Sequence, residues 1–96
     1  MHDFVFEWDE IKNRVNVLKH GITFDEASTV FSDENAILIF DDEHSDHEER
    51  FVILGISRNL RLLVVCHCYR ENESKIRIIS ARKANKYESD QYGGAS

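Results

Sequence analysis

The first third of the chain contains one strand-like and two helix-like patterns of apolar residues. Residues 3–7 (DFVFE) alternate polar and apolar side chains, which predicts a short strand. A helix is predicted to begin after Asp9, a favourable N-cap, and to end before Gly21, a favourable residue at a helix end. Its buried stripe is expected at three positions that are spaced by four and three residues: Ile11, Val15 and Leu18.

A second helix is predicted from a T-x-x-E capping box at Thr23 and Glu26. Its inner face is expected to consist of Ala27, Val30 and Phe31, and segment 32–35 is expected to end it.

Four more strands are predicted in the rest of the chain. Apolar composition or alternation marks four segments, at 36–40, at 50–56, at 61–69 and from Lys75 onwards. Turns are expected at 57–60 and 71–74. The last strand is predicted to pass directly into a helix capped by Ser80, with arginines on both sides of the junction. The order β-α-α-β-β-β-β-α predicts an α+β fold, with an antiparallel sheet flanked by helices.

The length of 96 residues suits one domain with a modest core, expected over residues 1–92 with a loose tail at 93–96. The chain is 42% hydrophobic and 31% charged, which is typical of a globular protein. No apolar run approaches the ~20 residues of a membrane helix, and the polar N-terminus does not resemble a signal peptide. Cys66 and Cys68 are next-but-one neighbours on a predicted strand and poorly placed for a disulfide. A reduced cytoplasmic protein is therefore expected.

The net charge of −6 is unevenly distributed along the chain. Residues 1–49 carry 14 acidic and 3 basic side chains, whereas residues 50–96 carry 4 acidic and 9 basic ones. Such a division suits a surface with one side for a polyanion and another for a basic partner, or it reflects chance clustering in solvated loops.

Two residues near the predicted helix ends are candidates for acid–base chemistry. His20 is expected at a helix end, where it would act as a general acid or base, contact a phosphate, or simply interact with the last helical carbonyls. Glu26 would act as a general base, although its place in the capping box already explains it.

Two groups of residues are candidates for metal sites, but both patterns are weak. His44 and His47 lie in an acidic segment, but H-x-x-H in a charged loop matches no strong site and favours a solvated surface. In the triplet Cys66-His67-Cys68, strand alternation directs the histidine away from both thiols. The cysteines are expected to pack as small apolar residues, and no metal ligand is predicted.

Arginines give the stronger signal. Guanidinium groups fit phosphate oxygens, and four of them are distributed over three predicted strands and the start of the last helix: Arg50, Arg70, Arg77 and Arg82. If they converged on one face or edge of the sheet, they would suit the transition state of RNA phosphodiester cleavage. The alternative is that some are ordinary surface residues. The sequence contains no phosphate-binding glycine loop, serine triad or zinc motif.

Three motifs together resemble the BrnT family of toxins from type II toxin–antitoxin systems. They are FEWD at residues 6–9, KHGITFDEA at 19–27, and RIISARKA at 77–84 followed by Glu88 and Tyr92. The resemblance spans nearly the whole chain, in the order that the family shows.

The resemblance implies a RelE-like fold and a small cytoplasmic ribonuclease that cleaves RNA without a metal or other cofactor and so inhibits translation and growth. It also implies a BrnA-like antitoxin that neutralises the toxin, carries a DNA-binding domain and represses the operon together with it. The catalytic positions would be His20, Glu26, Arg77 and Arg82. The supporting RNA-binding cations would be Lys19, Arg50 and Arg70.

Two other functions remain open at the level of sequence. One is a non-catalytic binding module that only forms a DNA-bound repressor complex with its partner, and the other is a family member that keeps the fold without the activity. In addition, the acidic segment 41–49 is a hypothetical docking surface for a basic segment of the antitoxin.

Overall fold

The computed structural model describes residues 4–42 and 48–93, which form one mixed sheet with helices packed around it. The strands are β1 (Val5–Glu7), β2 (Ile37–Asp41), β3 (Arg50–Ile56), β4 (Leu62–Arg70) and β5 (Lys75–Lys83). The helices are α1 (Glu10–His20), α2 (Phe24–Ser28) and α3 (Lys86–Gly93), and a 3₁₀ turn at Thr29–Ser32 extends α2. The α+β class and the order of the elements along the chain are as predicted.

The sheet has the strand order β1-β5-β4-β3-β2. Three of its four pairings are antiparallel, but β1 runs parallel to β5, with Phe6 opposite Ile76. The prediction of an antiparallel sheet was therefore wrong for this edge. Alternation of apolar residues indicates which face of a strand is buried, but it does not indicate the neighbour or its direction.

The core lies between α2 and one face of the sheet. Phe24 and Ala27 of α2 and Val30 of the 3₁₀ turn have no solvent exposure, and Phe31 packs against the same cluster. The sheet contributes Ile53, Leu63, Val65, Ile78 and Ala81. The predicted inner face of the second helix is therefore confirmed, although regular α-helix ends at Ser28.

Gly55 allows the close approach of the 3₁₀ turn to the sheet. A Cβ at this position would lie 2.8 Å from a methyl carbon of Val30 and 3.0 Å from the Cβ of Ala36. Both neighbours are held by the core, so a larger residue here would displace them.

The predicted buried stripe of α1 was wrong. Ile11, Val15 and Leu18 are 70%, 50% and 88% exposed, and the buried residue of this helix is Asn16. The reason is the position of α1, which contacts β5 beside the edge that β1 leaves open beyond Arg77. Contact with a strand edge requires hydrogen-bonding groups more than apolar ones, because the backbone there has unpaired polar atoms.

The predicted junction at Ser80 was also wrong. β5 continues to Lys83, and Ala81 stays extended because it pairs with Val65 of β4 and with Asn16 of α1. The cap of α3 is instead an N-x-x-E box in which the Asn85 amide donates to a Glu88 carboxylate oxygen (2.9 Å) and the Glu88 amide donates to Asn85 Oδ1 (2.8 Å).

The two predicted turns are confirmed. The Leu60 amide donates to the Ser57 carbonyl (2.9 Å) between β3 and β4, and the Ser74 amide donates to the Glu71 carbonyl (3.2 Å) between β4 and β5. Gly93 is the last residue of α3, and the rest of the predicted tail lies outside the described residues. None of the helices in the described ranges is long and apolar enough to cross a membrane.

Candidate functional site

The sheet face away from the core carries the predicted arginines. Arg77 and Arg82 are five positions apart, so an unbroken strand would direct them to opposite faces. A register shift removes this conflict, because Cys66 pairs with Ser80 while its neighbour His67 pairs with Ile78, which leaves Ile79 as an extra residue. This bulge brings Arg77 and Arg82 to the same face.

The register extends this face across the neighbouring strands. Arg77 lies opposite Cys68 and Arg82 opposite Val64, two β4 residues that share one face. Arg50 lies on the same side of β3 as Val52, which pairs with Cys66 of β4. Arg70 lies at the far end of β4, opposite Lys75. The face therefore collects cations from three strands, as the sequence suggested.

A cleft on this face contains two of the four arginines. Arg50 and Arg82 line a space of about 280 Å³, with Asp41, Cys66 and Ser80 among its other lining residues. Burial raises the pKa of the Cys66 thiol, so the sulfur in this cleft is kept protonated. The cationic groups that line this cleft are the guanidinium groups of Arg50 and Arg82.

A second cleft lies beside α1 and contains His20. Lys12, Lys19 and His20 line a space of about 220 Å³ together with Ile79 and Ser80 of β5. The two lysines and the histidine are exposed to solvent. The C-terminal turn of α1 thus brings basic side chains to the edge of β5.

The two clefts meet at the bulge, since Ile79 and Ser80 line both of them. We call the combined surface the β5 groove: Lys12, Lys19 and His20 on one side of Ser80, and Arg50 and Arg82 on the other. Asp41 is the only acidic residue among the described residues that line it. Bulges are frequent beside functional sites because they redirect side chains.

Asn16 attaches α1 to the edge of β5. Its Nδ2 donates to the carbonyls of Ala81 (2.8 Å) and Ile22 (2.9 Å), and its Oδ1 accepts from the Ala81 amide (3.1 Å). The side chain therefore takes the place that a neighbouring strand would occupy, and it is only 5% exposed. This contact determines how close His20 lies to the arginine face.

Arg82 is oriented by an acidic partner. Its two terminal nitrogens donate to the two carboxylate oxygens of Glu88 at 2.8 and 2.7 Å, a bidentate pair that raises the pKa of Arg82 and lowers that of Glu88. The Arg82 side chain is nevertheless 43% exposed. One edge of the guanidinium is fixed, and the group remains accessible to an anion from solvent.

Arg77 and Arg70 lie outside the β5 groove. Arg77 donates to a carboxylate oxygen of Glu7 at 3.0 Å, on the side of β5 that β1 covers. Arg70 is at the end of the sheet opposite to Arg82. The structure therefore brings together four of the seven predicted site residues: His20, Lys19, Arg50 and Arg82.

Glu26 belongs to a separate, buried cluster. It is 3% exposed and accepts hydrogen bonds from the Ser57 hydroxyl (2.7 Å) and from the Arg61 guanidinium, through Nε (2.9 Å) and through a second, shorter contact. These contacts, with the Arg61 hydrogen bond foremost, lower the pKa of Glu26 to about 2. A carboxylate that is this weakly basic and enclosed is poorly suited to remove a proton at neutral pH.

The cysteine–histidine triplet is divided between the two faces. Cys66 lines the β5 groove, whereas His67 is fully buried on the core side, with its ring centroid 4.7 Å from that of Phe31. Burial lowers the pKa of His67 to about 4 and keeps it neutral. His44 and His47 lie outside the described residues. Within 4–42 and 48–93 there is no group of three or more potential ligands that could hold an ion.

Comparisons with known proteins agree with this architecture. A model of the BrnT family, described as the ribonuclease toxin of a type II toxin–antitoxin system, matches residues 8–88. This chain belongs to that family. The 1.1 Å crystal structure of the Brucella abortus ribonuclease toxin BrnT has a similar fold, with a TM-score of 0.63 and 22% identity over 88% of this chain and all of the other. A search of curated protein sequences found no match.

The contacts of three residues were not anticipated from sequence: Asn16, Arg61 and Asn85. Asn16 falls in a helical pattern where apolar residues were expected to pack, and Arg61 lies next to a predicted turn, where charge is usually solvated. Neither position carries a local signal, since each acts on a distant partner. A signal did exist for the cap of α3, because Asn85 and Glu88 have capping-box spacing.

Proposed function

We propose that this chain is an endoribonuclease toxin that cleaves RNA at the β5 groove without a metal ion. The basic groups among its lining are ammonium, guanidinium and imidazole side chains, which would bind and neutralise a phosphate directly. In this proposal residues 1–92 act as one RelE-like toxin domain in the cytoplasm, and RNA cleavage inhibits translation and growth.

One observation carries the proposal: Ser80 and Ile79 are shared by the cleft with His20 and the cleft with Arg82. A phosphate at the bulge would have a titratable group on one side and a guanidinium on the other. Cleavage of RNA requires this combination, because a proton must leave the 2′-hydroxyl while negative charge accumulates on the phosphate.

We assign the following reaction to the groups around the bulge. The 2′-oxygen attacks the adjacent phosphorus, the bond to the 5′-oxygen breaks, and the products are a 2′,3′-cyclic phosphate and a 5′-hydroxyl. His20 would accept the 2′-hydroxyl proton while water supplies the proton that the 5′-oxygen takes up, or His20 would supply that proton while water accepts the one from the 2′-hydroxyl. Arg82 and Arg50 would bind the non-bridging oxygens, and Lys19 would bind the neighbouring phosphate.

The remaining predicted site residues have other roles in this proposal. Glu26 supports the turn between β3 and β4 and the start of α2 through Arg61, and it does not act as the base. Arg77 and Arg70 bind the RNA backbone farther along the same sheet face, where long-range attraction depends on salt.

We further propose that the antitoxin of this type II system is BrnA-like, that it neutralises the nuclease, and that the complex represses its own operon through the antitoxin's DNA-binding domain. The second candidate function is a binding module without nuclease activity. It is favoured by one observation, namely that Arg82 and Arg77 both have carboxylate partners, Glu88 and Glu7, within the protein.

The test is cleavage of a 5′-labelled RNA by the purified chain in the presence of EDTA. We expect fragments that end in a 2′,3′-cyclic phosphate, and we expect Arg82→Ala to lower the rate by about 10²–10³-fold. Arg58→Ala is the matched control, because Arg58 is a surface arginine with one carboxylate partner, Asp25, and lies outside the groove.

Three outcomes would contradict parts of this proposal. Cleavage that EDTA abolishes would contradict the metal-free mechanism. If Arg82→Ala still cleaves RNA, the β5 groove is not the site of cleavage. The absence of cleavage and of growth arrest by the wild-type chain would favour the binding module.

A further inference from the structure

The outward side of α1 carries three exposed apolar residues in a row. Ile11, Val15 and Leu18 are spaced by four and three residues, so they lie on one side of the helix. All three are exposed, and Leu18 is the most exposed large apolar side chain among the described residues. We call these three residues the α1 stripe. Apolar residues at this spacing normally pack against another element, so the α1 stripe has the pattern of a contact surface.

The other side of α1, which is polar, attaches the helix to the rest of the molecule. Asn16 Nδ2 donates to the Ala81 carbonyl (2.8 Å), and Asn13 Oδ1 accepts from the Phe24 amide (2.8 Å). Because these side-chain amides make the attachment, the apolar residues of the helix are not used for it. The α1 stripe is therefore accessible to a partner.

Basic side chains flank the α1 stripe on both sides. Lys12 and Lys19 lie within about one turn of Val15, on the side of the helix that lines the β5 groove. Arg14 lies one turn before Leu18 on the other side of the stripe, and it lines neither cleft of the β5 groove. Binding of RNA in the groove would therefore account for the two lysines but not for Arg14.

These basic side chains have no acidic partner among the described residues. None of the ion pairs there includes Lys12, Arg14 or Lys19. The acidic residue of α1, Glu10, instead accepts a hydrogen bond from the Trp8 indole (3.2 Å). A partner that covers the α1 stripe would thus meet positive charge on both of its flanks, and carboxylates are the complementary groups.

The aliphatic character of the α1 stripe distinguishes a protein partner from RNA. RNA would use the basic flanks, but its bases stack on aromatic rings and guanidinium planes rather than on aliphatic side chains. A second copy of this chain would bring an equally basic α1 to a symmetric contact. An amphipathic helix with apolar residues at the same spacing and carboxylates beside them matches both the stripe and its flanks.

We propose that the α1 stripe binds an acidic amphipathic helix of the antitoxin. This assignment rests on the proposed function, which supplies the antitoxin as the partner and the β5 groove as the RNA site. Ile11 and Val15 also line the cleft that contains His20, so a helix on the stripe covers this side of the β5 groove. The antitoxin thereby excludes RNA from His20.

The test measures the affinity of the purified chain for its cognate antitoxin by surface plasmon resonance. Leu18→Glu should weaken binding by about tenfold or more, because it removes a large apolar contact and repels the acidic helix. Arg14→Glu should weaken binding by about threefold or more, since an attraction becomes a repulsion. Both side chains are exposed, so thermal unfolding should be unchanged. Leu38→Glu is the matched control, because Leu38 is an exposed leucine on β2, at the far end of the strand order from α1 and β5, and it should bind as wild type does.

A second substitution at the same position tests the charge of the partner. Leu18→Lys should weaken binding less than Leu18→Glu, because the added ammonium group attracts the acidic helix. Equal losses in the two variants would overturn the acidic partner, and unchanged affinity in both Leu18→Glu and Arg14→Glu would overturn the surface. The proposal would also be wrong if the chain alone forms a dimer in sedimentation that Leu18→Glu abolishes, since a second copy would then cover the α1 stripe.

The RNA cleavage assay keeps the failure of this assignment separate from the failure of the proposed function. Leu18→Glu should cleave RNA at the wild-type rate, since Leu18 lines neither cleft, but it should require about tenfold more antitoxin for half-inhibition. Slower cleavage by Leu18→Glu with unchanged antitoxin affinity would assign the α1 stripe to RNA instead. Absence of cleavage by the wild type would contradict the nuclease, whereas wild-type inhibition of Leu18→Glu would contradict only the partner surface.

Discussion

The Glu26 cluster and the β5 groove both contain residues from the family motifs, but their environments are opposite. Glu26 is enclosed by Arg61 and Ser57, and these contacts lower its pKa to about 2. His20 and Arg82 lie at the surface, around an open cleft. The comparison teaches that residues of one family motif occupy both enclosed and open environments, and that burial and hydrogen-bond partners distinguish the two.

The largest effect that the comparison predicts is on catalysis, at His20. His20→Gln should lower RNA cleavage by about 10²-fold or more, because a positioned general acid or base contributes at least that much. Its thermal unfolding should be unchanged, since the side chain is exposed. Single-turnover cleavage and thermal denaturation measure the two quantities, with Lys86→Gln on α3 as the control. Full activity in His20→Gln would show that the acid–base group is another residue.

Substitution of Glu26, in contrast to that of His20, should affect stability. Glu26→Gln should lower the free energy of unfolding by about 2–3 kcal/mol, since it removes charge-assisted hydrogen bonds from a buried group. Cleavage per folded molecule should stay at the wild-type level. Asp25→Asn is the adjacent control, because the Asp25–Arg58 pair is exposed and should contribute less than about 1 kcal/mol. A normal stability together with lost cleavage in Glu26→Gln would make Glu26 a catalytic residue.

The Glu26 cluster should also make stability depend on pH. The folded pKa is about 2, below the ordinary value of 4.5, so the stabilisation is complete above about pH 5 and is lost as the pH falls towards 2. The free energy of unfolding, measured in urea, should decline between about pH 6 and about pH 3. This decline should be smaller in Glu26→Gln than in the wild type. Equal declines in both proteins would assign the acid sensitivity to other carboxylates.

A smaller effect is expected at Asn16, which connects the fold to the β5 groove. Asn16→Ala should destabilise the protein by about 1–2 kcal/mol and lower cleavage as well, because the edge of β5 loses its hydrogen bonds and α1 carries His20. Asn13→Ala, one turn earlier, removes the bond that Asn13 accepts from the Phe24 amide and the bond that it donates to Glu10, and it should leave cleavage intact. Unfolding curves and cleavage rates together provide the check.

The smallest effect should occur at Arg77, on the same sheet face as Arg82. Arg77→Ala should lower cleavage by less than about tenfold and stability by less than about 1 kcal/mol, because a partly exposed pair with Glu7 contributes little. The difference between Arg77→Ala and Arg82→Ala in the same RNA assay measures how sharply the site is centred on the bulge. Equal losses would extend the site along β5.

Most local features were predicted well, apart from the Ser80 cap, whereas long-range contacts were not. The capping residues Asp9 and Thr23, the glycine at the end of α1, and both turns are where short-range spacing indicated. The prediction of a buried apolar stripe in α1 was wrong because a polar residue, Asn16, makes the contact with β5. The bulge at Ile79 likewise depends on the pairing of β4 with β5, which no window of either strand contains.

The sequence by itself determined the family, the order of strands and helices, and the chemical types of the residues at the site. These depend on motifs and on spacings within one element, where neighbours in sequence are neighbours in space. Only the tertiary structure decided which motif residues share a surface. A single bulged residue reverses the face to which Arg82 points, and only the folded chain places Arg61 against Glu26 and so separates a stabilising carboxylate from an open cationic groove.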